Sequence, residues 1–85
     1  MTDSLPWHVY IIRCSDNSLY CGTALDVQAR LEKHNSGHGS KYVRSRRPAV
    51  LVWSKLFSSR SEACKFECLV KRMSREEKEN NFIFT

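Results

Sequence analysis

The chain predicts an α+β domain: a small central three-stranded, largely antiparallel sheet flanked by helices. Three observations carry this. Two strand-like runs, WHVYIIRC and LYCGT, are separated only by Ser15-Asp16-Asn17-Ser18, and so short a connection joins antiparallel neighbours. A third β-rich run, AVLVWSKLF, comes after a helical stretch. The remaining apolar patterns, following Asp26 and Ser59, repeat at helical spacing. Eighty-five residues support one hydrophobic core, so a single domain is expected, its core running from about Trp7 to Glu79.

Trp7 to Cys14 is rich in aromatic and β-branched residues and lies between Pro6 and a cluster of turn-formers, which reads as a buried strand. Leu19 to Thr23 is its hairpin partner. Asp26 is an N-cap for a helix running to about Ser36, with Ala24, Val27 and Leu31 as its apolar stripe and Gly37 as its stop. Arg30 and His34 fall at the edge of that stripe and share a face. Two cationic or proton-carrying side chains aimed at one spot point to an anion.

The segment GHGSKYVRSRR, residues 37–47, reads as a loop because of its two glycines. Ala49 to Phe57 is the third strand, introduced by Pro48. Ser59 with Glu62 forms a capping-box pair opening a helix that buries Ala63, Phe66, Leu69, Val70 and Met73. Ser74 with Glu77 forms another, so a last short helix begins at about Arg75. The tail NNFIFT is expected to pack Phe82 and Phe84 or to fray. The order is β-β-α-β-α-α, which is α+β rather than alternating α/β.

A composition of 41% hydrophobic and 27% charged residues is that of a soluble globular chain, and no apolar run is long enough to span a bilayer. MTDSLPWHVY lacks the basic start and long apolar stretch of a signal peptide, so a cytoplasmic protein is expected. Thiols stay reduced there, and the four cysteines imply no bridges. Zinc held by Cys14, Cys21, Cys64 and Cys68 with His34 and His38 is disfavoured, since no CxxC is present; buried free cysteines serve as small hydrophobes.

The net charge of +5 is clustered. Lys41, Arg44, Arg46 and Arg47 surround Tyr42 in KYVRSRR without an acidic residue between them, the electrostatic footprint of a phosphate-backbone binder. A solvated loop that only keeps the chain soluble is the competing reading.

Taken singly, Tyr10 and Tyr20 read as core or rim aromatics, and Glu67 as the i,i+4 ion-pair partner of Lys71. As an ordered set they look different. His8-Val9-Tyr10 on the first strand, Tyr20-Cys21-Gly22 on the second, Arg30 and His34 on the first helix and Glu67 on the later one resemble the GIY-YIG nuclease superfamily, and within it the small stand-alone single-domain bacterial members. Three letters of the two name motifs depart: His8 stands for the first glycine, Val9 and Cys21 for the isoleucines.

The resemblance implies phosphodiester hydrolysis in DNA or RNA, with DNA ahead of RNA, in repair, recombination or nucleic-acid processing. It implies one Mg²⁺ or Mn²⁺ at Glu67, with Tyr10 near the attacking water and Tyr20 and His34 orienting it or relaying its proton. The residues suit those tasks. A lone carboxylate suits a hard ion that keeps most of its waters, and the planar fork of Arg30 holds two phosphate oxygens as a lysine cannot. His34 titrates closer to neutrality than Tyr10 does, so the residues alone leave the base open. Gly22, lacking a Cβ, would let a phosphate approach the backbone. With no separate targeting domain, selectivity is expected from short loops, a homodimer or a partner protein. The alternative is a non-catalytic nucleic-acid-binding module or adaptor that keeps the nuclease fold.

Overall fold

Six residues, HVYIIR, form the central strand β1 (His8–Arg13), and Val9, Tyr10, Ile11 and Ile12 are all buried. A strand apolar on both faces needs cover on both, and the computed structural model, which describes residues 5–83, supplies it. Strand β2 (Leu19–Ala24) pairs antiparallel with one edge of β1, and β3 (Val50–Leu56) pairs antiparallel with the other, giving the order β2-β1-β3. The β1–β3 register slips between Ile11, opposite Trp53, and Ile12, opposite Leu51. Val52 is therefore the extra residue of a β-bulge.

Because side chains alternate across a strand, Tyr10 and Ile12 share one core with Cys14, Val43 and Ala49, covered by Val27 and Leu31. These last two belong to helix α1 (Val27–Asn35). Val9 and Ile11 share the other core with Cys21, Ala63 and Val70, the latter two from helix α3 (Arg60–Arg72). The sheet is thus sandwiched between α1 and α3. Trp53 stacks on Phe66 and packs against Phe82 at ring-centroid separations of 5.9 and 4.6 Å, so the tail docks on this second core. Phe82 lies in a π-helical turn, Glu79–Ile83, that follows helix α4 (Arg75–Lys78). Phe84 lies outside the described residues.

The α+β class and the order of the strands and principal helices are as the sequence predicts, with three local differences. The 37–47 loop contains a four-residue helix, α2 (Lys41–Arg44), because the Ser40 hydroxyl accepts the Tyr42 N–H and Val43 drops into the first core. Ser59 accepts the Glu62 N–H, but the Glu62 carboxylate turns to the Ser58 hydroxyl at 2.8 Å, so only the Ser74–Glu77 box is complete. Leu69, expected in the core, is 55% exposed. It lies roughly 120° around the helix from Ala63 at about 100° per residue, beyond the stripe that faces the sheet.

Candidate active site

Tyr10 and Gly22 face each other across β1 and β2. A Cβ at Gly22 would lie 2.5 Å from the Tyr10 hydroxyl oxygen and 2.7 Å from the ring carbon that bears it. The phenol itself occupies the space over that backbone, a reason for glycine different from the approach of a phosphate. Helix α1 brings His34 onto the same phenol. It is the one buried polar or charged side chain among the described residues, 2% exposed, and its Nε2 lies 2.9 Å from the Tyr10 hydroxyl.

The other ring nitrogen, Nδ1, accepts the Ser40 N–H at 3.4 Å. An Nδ1 that accepts leaves the imidazole proton on Nε2, so Nε2–H donates to the Tyr10 hydroxyl, whose residue is itself 2% exposed and does not line the cleft. The chain crosses this imidazole at Gly39, where any Cβ would collide with Nδ1. Asn35 fixes the end of α1: its amide donates to the Ala49 carbonyl at 2.9 Å, and its side-chain oxygen accepts the Ala49 N–H at 2.7 Å.

Burial, reinforced by the neighbouring Tyr20, pushes the Tyr10 phenol up to about 12 against the opposing pull of Arg30. Burial, then Arg30 and Lys33, holds His34 below its ordinary value. The sequence suggested two cationic or proton-carrying groups on one helix face. In the structure Arg30 carries the charge and His34 is a neutral hydrogen-bonding partner.

A stability prediction follows from His34. Above pH 6.5, its ordinary value, the imidazole is neutral both folded and unfolded. Below that the unfolded chain binds the proton first, so stability falls as pH drops until the folded His34 also titrates. Urea unfolding at about pH 7.5 and about pH 5.5 should show the lower stability at the acid pH, and His34→Gln should show a smaller drop. An equal drop in both proteins would mean that other groups cause it.

Tyr20 meets His34 edge-on at 5.4 Å, Tyr42 stacks on Tyr20 at 5.9 Å, and the Arg46 guanidinium lies 4.0 Å over the Tyr42 ring. Arg46 also binds Asp16 at 2.9 Å and the Tyr42 carbonyl at 2.8 Å. Arg47 donates to the carbonyls of Arg44 and Asn35 at 2.8 and 3.3 Å. Half of the basic cluster therefore holds the loop against the first core. The side chains of Lys41 and Arg44 make no hydrogen bond or ion pair among the described residues.

These groups border an open cleft of about 330 Å³ lined by Tyr20, Arg30, Lys33, His34, His38, Gly39 and Ser40. Arg30 donates a long hydrogen bond, 3.4 Å, to the Thr23 carbonyl and lies close enough to Tyr10 to act on its phenol by charge and hydrogen bonding, which still leaves donors for a ligand. Lys33, three residues on, shares the cleft and was not singled out in the sequence. The signal was its i,i+3 position relative to Arg30. Tyr42 was missed because its stacking partner, Tyr20, lies far away in sequence, and Ser40 because it meets His34 through its backbone N–H, a group that carries no residue-type signal.

Glu67 comes from the opposite face of the sheet. It stands at the edge of the α3 stripe, where its carboxylate binds Lys71 at 3.3 Å with the side chain 19% exposed. The Lys71 ammonium is also 6.0 Å from the Tyr20 ring centroid, so Glu67 reaches the β2 edge beside Tyr20 but does not line the cleft. Burial alone would lower the Lys71 pKa; the Glu67 carboxylate outweighs it and holds the ammonium above its usual range. No group of three or more metal-ligating side chains occurs among the described residues. Cys21, pushed up to about 12 by burial and then by Glu67, stays a protonated thiol. The donor set fits a hard, largely hydrated ion on one carboxylate, with Lys71 as the cation it would displace.

His8 pairs with Ala24 and Leu56 at the end of the sheet and does not line the cleft. No helix among the described residues is long and apolar enough to cross a membrane.

The profile of the GIY-YIG catalytic domain matches residues 6–80. A UPF0213 protein of Staphylococcus haemolyticus is 51% identical over 71 residues, covering 84% of this chain and 87% of its own. One from Staphylococcus aureus is 51% identical over 70 residues, with 82% and 85% covered. Among solved structures, the UPF0213 protein BH0048 of Bacillus halodurans superposes with a TM-score of 0.57 at 46% identity, over 87% of this chain and 79% of that one. Protein EF2693 of E. faecalis gives 0.62 at 35% identity, over 94% and 85%. Since the match runs through every strand and helix that builds the cleft, the chain belongs to the GIY-YIG family of nuclease-type domains, alongside the UPF0213 proteins.

Proposed function

We propose that the chain is a divalent-metal-dependent nuclease that hydrolyses phosphodiester bonds, with DNA preferred to RNA. The observation that carries this reading is the buried Tyr10–His34 hydrogen bond, 2.9 Å long, set beside an arginine with free donors at an open cleft. His34 lines the cleft and binds the buried Tyr10 hydroxyl, and such a pair supplies the proton acceptor that water activation needs. The His34 Nε2–H stabilises the phenolate form of Tyr10, which takes the proton from the attacking water. Arg30 spans two non-bridging oxygens of the phosphate and holds the charge that builds on them. Tyr20, braced between His34 and Tyr42, orients the water or the phosphate. Glu67 would hold one Mg²⁺ or Mn²⁺, which when bound supplies Lewis acidity to the phosphodiester.

The deciding experiment is incubation with single-stranded, duplex, flap and branched DNA and RNA in Mg²⁺, Mn²⁺ or chelator. Cleavage of at least one substrate that chelator stops supports the proposal. Binding without cleavage under every condition would replace it with the adaptor reading.

The basic loop makes a separate prediction. Lys41 and Arg44, unengaged within the fold, neutralise phosphates and release counterions, with Arg46 and Arg47 contributing the donors not spent on the loop. Lys41→Ala with Arg44→Ala should weaken nucleic-acid binding at low salt and reduce the slope of log K against log salt by about one to two units. An unchanged slope would mark the loop as solvated surface.

A further inference from the structure

A second cleft adjoins the first. It has a volume of about 240 Å³ and is lined by Trp7, Leu25, Asp26, Ala29, Arg30 and Lys33, so Arg30 and Lys33 belong to both clefts. Its chemistry is different. Trp7 and Leu25, the latter 41% exposed, supply an aromatic and an aliphatic wall. Asp26 adds one acceptor that the fold does not use: its Oδ1 caps α1 by accepting the Ala29 N–H at 3.0 Å, and its second oxygen has no hydrogen bond among the described residues. An apolar wall with an aromatic ring, an anionic acceptor, and two cations at the mouth shared with the neighbouring cleft match the parts of one nucleotide: a flat base, an amino group on its edge and a phosphate.

We propose that this cleft holds the nucleobase adjoining the phosphate gripped by Arg30, and that it selects a base bearing an exocyclic amino group, which donates to Asp26. The base lies against Trp7 and Leu25, because aromatic surfaces stack on bases of any sequence, and the carboxylate supplies the discrimination, since it accepts from an amine such as cytosine N4 and repels a carbonyl. The proposal rests on Arg30 acting on phosphate, as in the nuclease reading.

Metal-free protein labelled with nitrogen-15, kept in chelator, provides the test. It is titrated with deoxycytidine monophosphate, deoxyuridine monophosphate and inorganic phosphate; the two nucleotides differ at position 4 of the base, amino against carbonyl, and in the proton that N3 carries in uracil. The reporters are the Trp7 indole N–H, buried and without a hydrogen-bond partner among the described residues, and the Leu25 and Ala29 amides. Deoxycytidine monophosphate should shift all three and bind roughly tenfold tighter than deoxyuridine monophosphate, while phosphate should leave Trp7 unmoved. Asp26→Asn keeps the helix cap, because asparagine caps as well as aspartate, but replaces the free oxygen with a donor, so the preference should reverse. Equal binding of the two nucleotides, a Trp7 shift produced by phosphate alone, or an unaltered preference in Asp26→Asn would each overturn the proposal. Polynucleotide cleavage with no Trp7 response would overturn the cleft alone. A Trp7 response with the stated preference in a protein that cleaves nothing would uphold the cleft and overturn the nuclease reading.

Discussion

Glu67→Ala is expected to lower cleavage by at least about a thousandfold, because a Lewis acid contributes several kcal/mol to phosphoryl chemistry and each 1.4 kcal/mol or so is a factor of ten. Nucleic-acid affinity should stay within about threefold of the parent, since the groups assigned to phosphate neutralisation lie elsewhere. Glu67 is half-buried beside Lys71 rather than packed in the core, so the variant should fold, and a thermal melt checks this. The same pair makes the metal assignment testable without turnover. Lys71→Met removes the ammonium that competes for the carboxylate, so Mn²⁺ should bind more tightly by water-proton relaxation, and Glu67→Ala should remove that site. Wild-type cleavage by Glu67→Ala, with Mg²⁺ required as before, would place the metal on other groups.

Tyr10→Phe should lower cleavage by about 10² to 10⁴, the range for a positioned proton acceptor. Phenylalanine keeps the ring that fills the first core and lies over Gly22. It leaves the His34 Nε2–H without its partner, at a cost of about 1–3 kcal/mol in stability, so the comparison belongs at a temperature where both proteins are folded. The pH profile separates chemistry from packing. A phenol pushed up to about 12 is almost wholly protonated at neutral pH, and its phenolate fraction rises about tenfold per pH unit. Cleavage by the parent should therefore climb with pH on the alkaline side of neutrality, and the residual activity of Tyr10→Phe should not. An alkaline rise that survives in Tyr10→Phe would transfer the role of base to another group.

Much of the architecture was legible because it rests on local patterns. A run apolar at every position, a four-residue connection between strands and serines three residues ahead of glutamates each have one inexpensive conformation. The misplacement of Leu69 shows the limit of that reasoning: a helical stripe has a width set by the surface it meets, and only the docked sheet decides which edge residue stays in water. Helix α2 was hidden for a related reason. Four residues of helix are not stable by propensity, and this one persists because Val43 finds a place in a core built by distant strands.

The sequence by itself determined which candidate groups to look for, Tyr10, Tyr20, Arg30, His34 and Glu67, in an order and on elements that marked the family. It also determined that Arg30 and His34 share a helix face, since that follows from helical spacing alone. Only the tertiary structure decided what state those groups are in. Burial against Tyr10, with a backbone N–H on its other nitrogen, made His34 a neutral hydrogen-bond donor instead of a second cation. The register of β1 against β2 put a phenol where the glycine had looked open to phosphate. Asp16, Tyr42 and the carbonyls of Arg44 and Asn35 engaged two of the four loop cations. Charge and pKa depend on which atoms lie within a few ångströms and on how much water is excluded, and those neighbours come from residues far apart in the chain, which no local pattern can bring together.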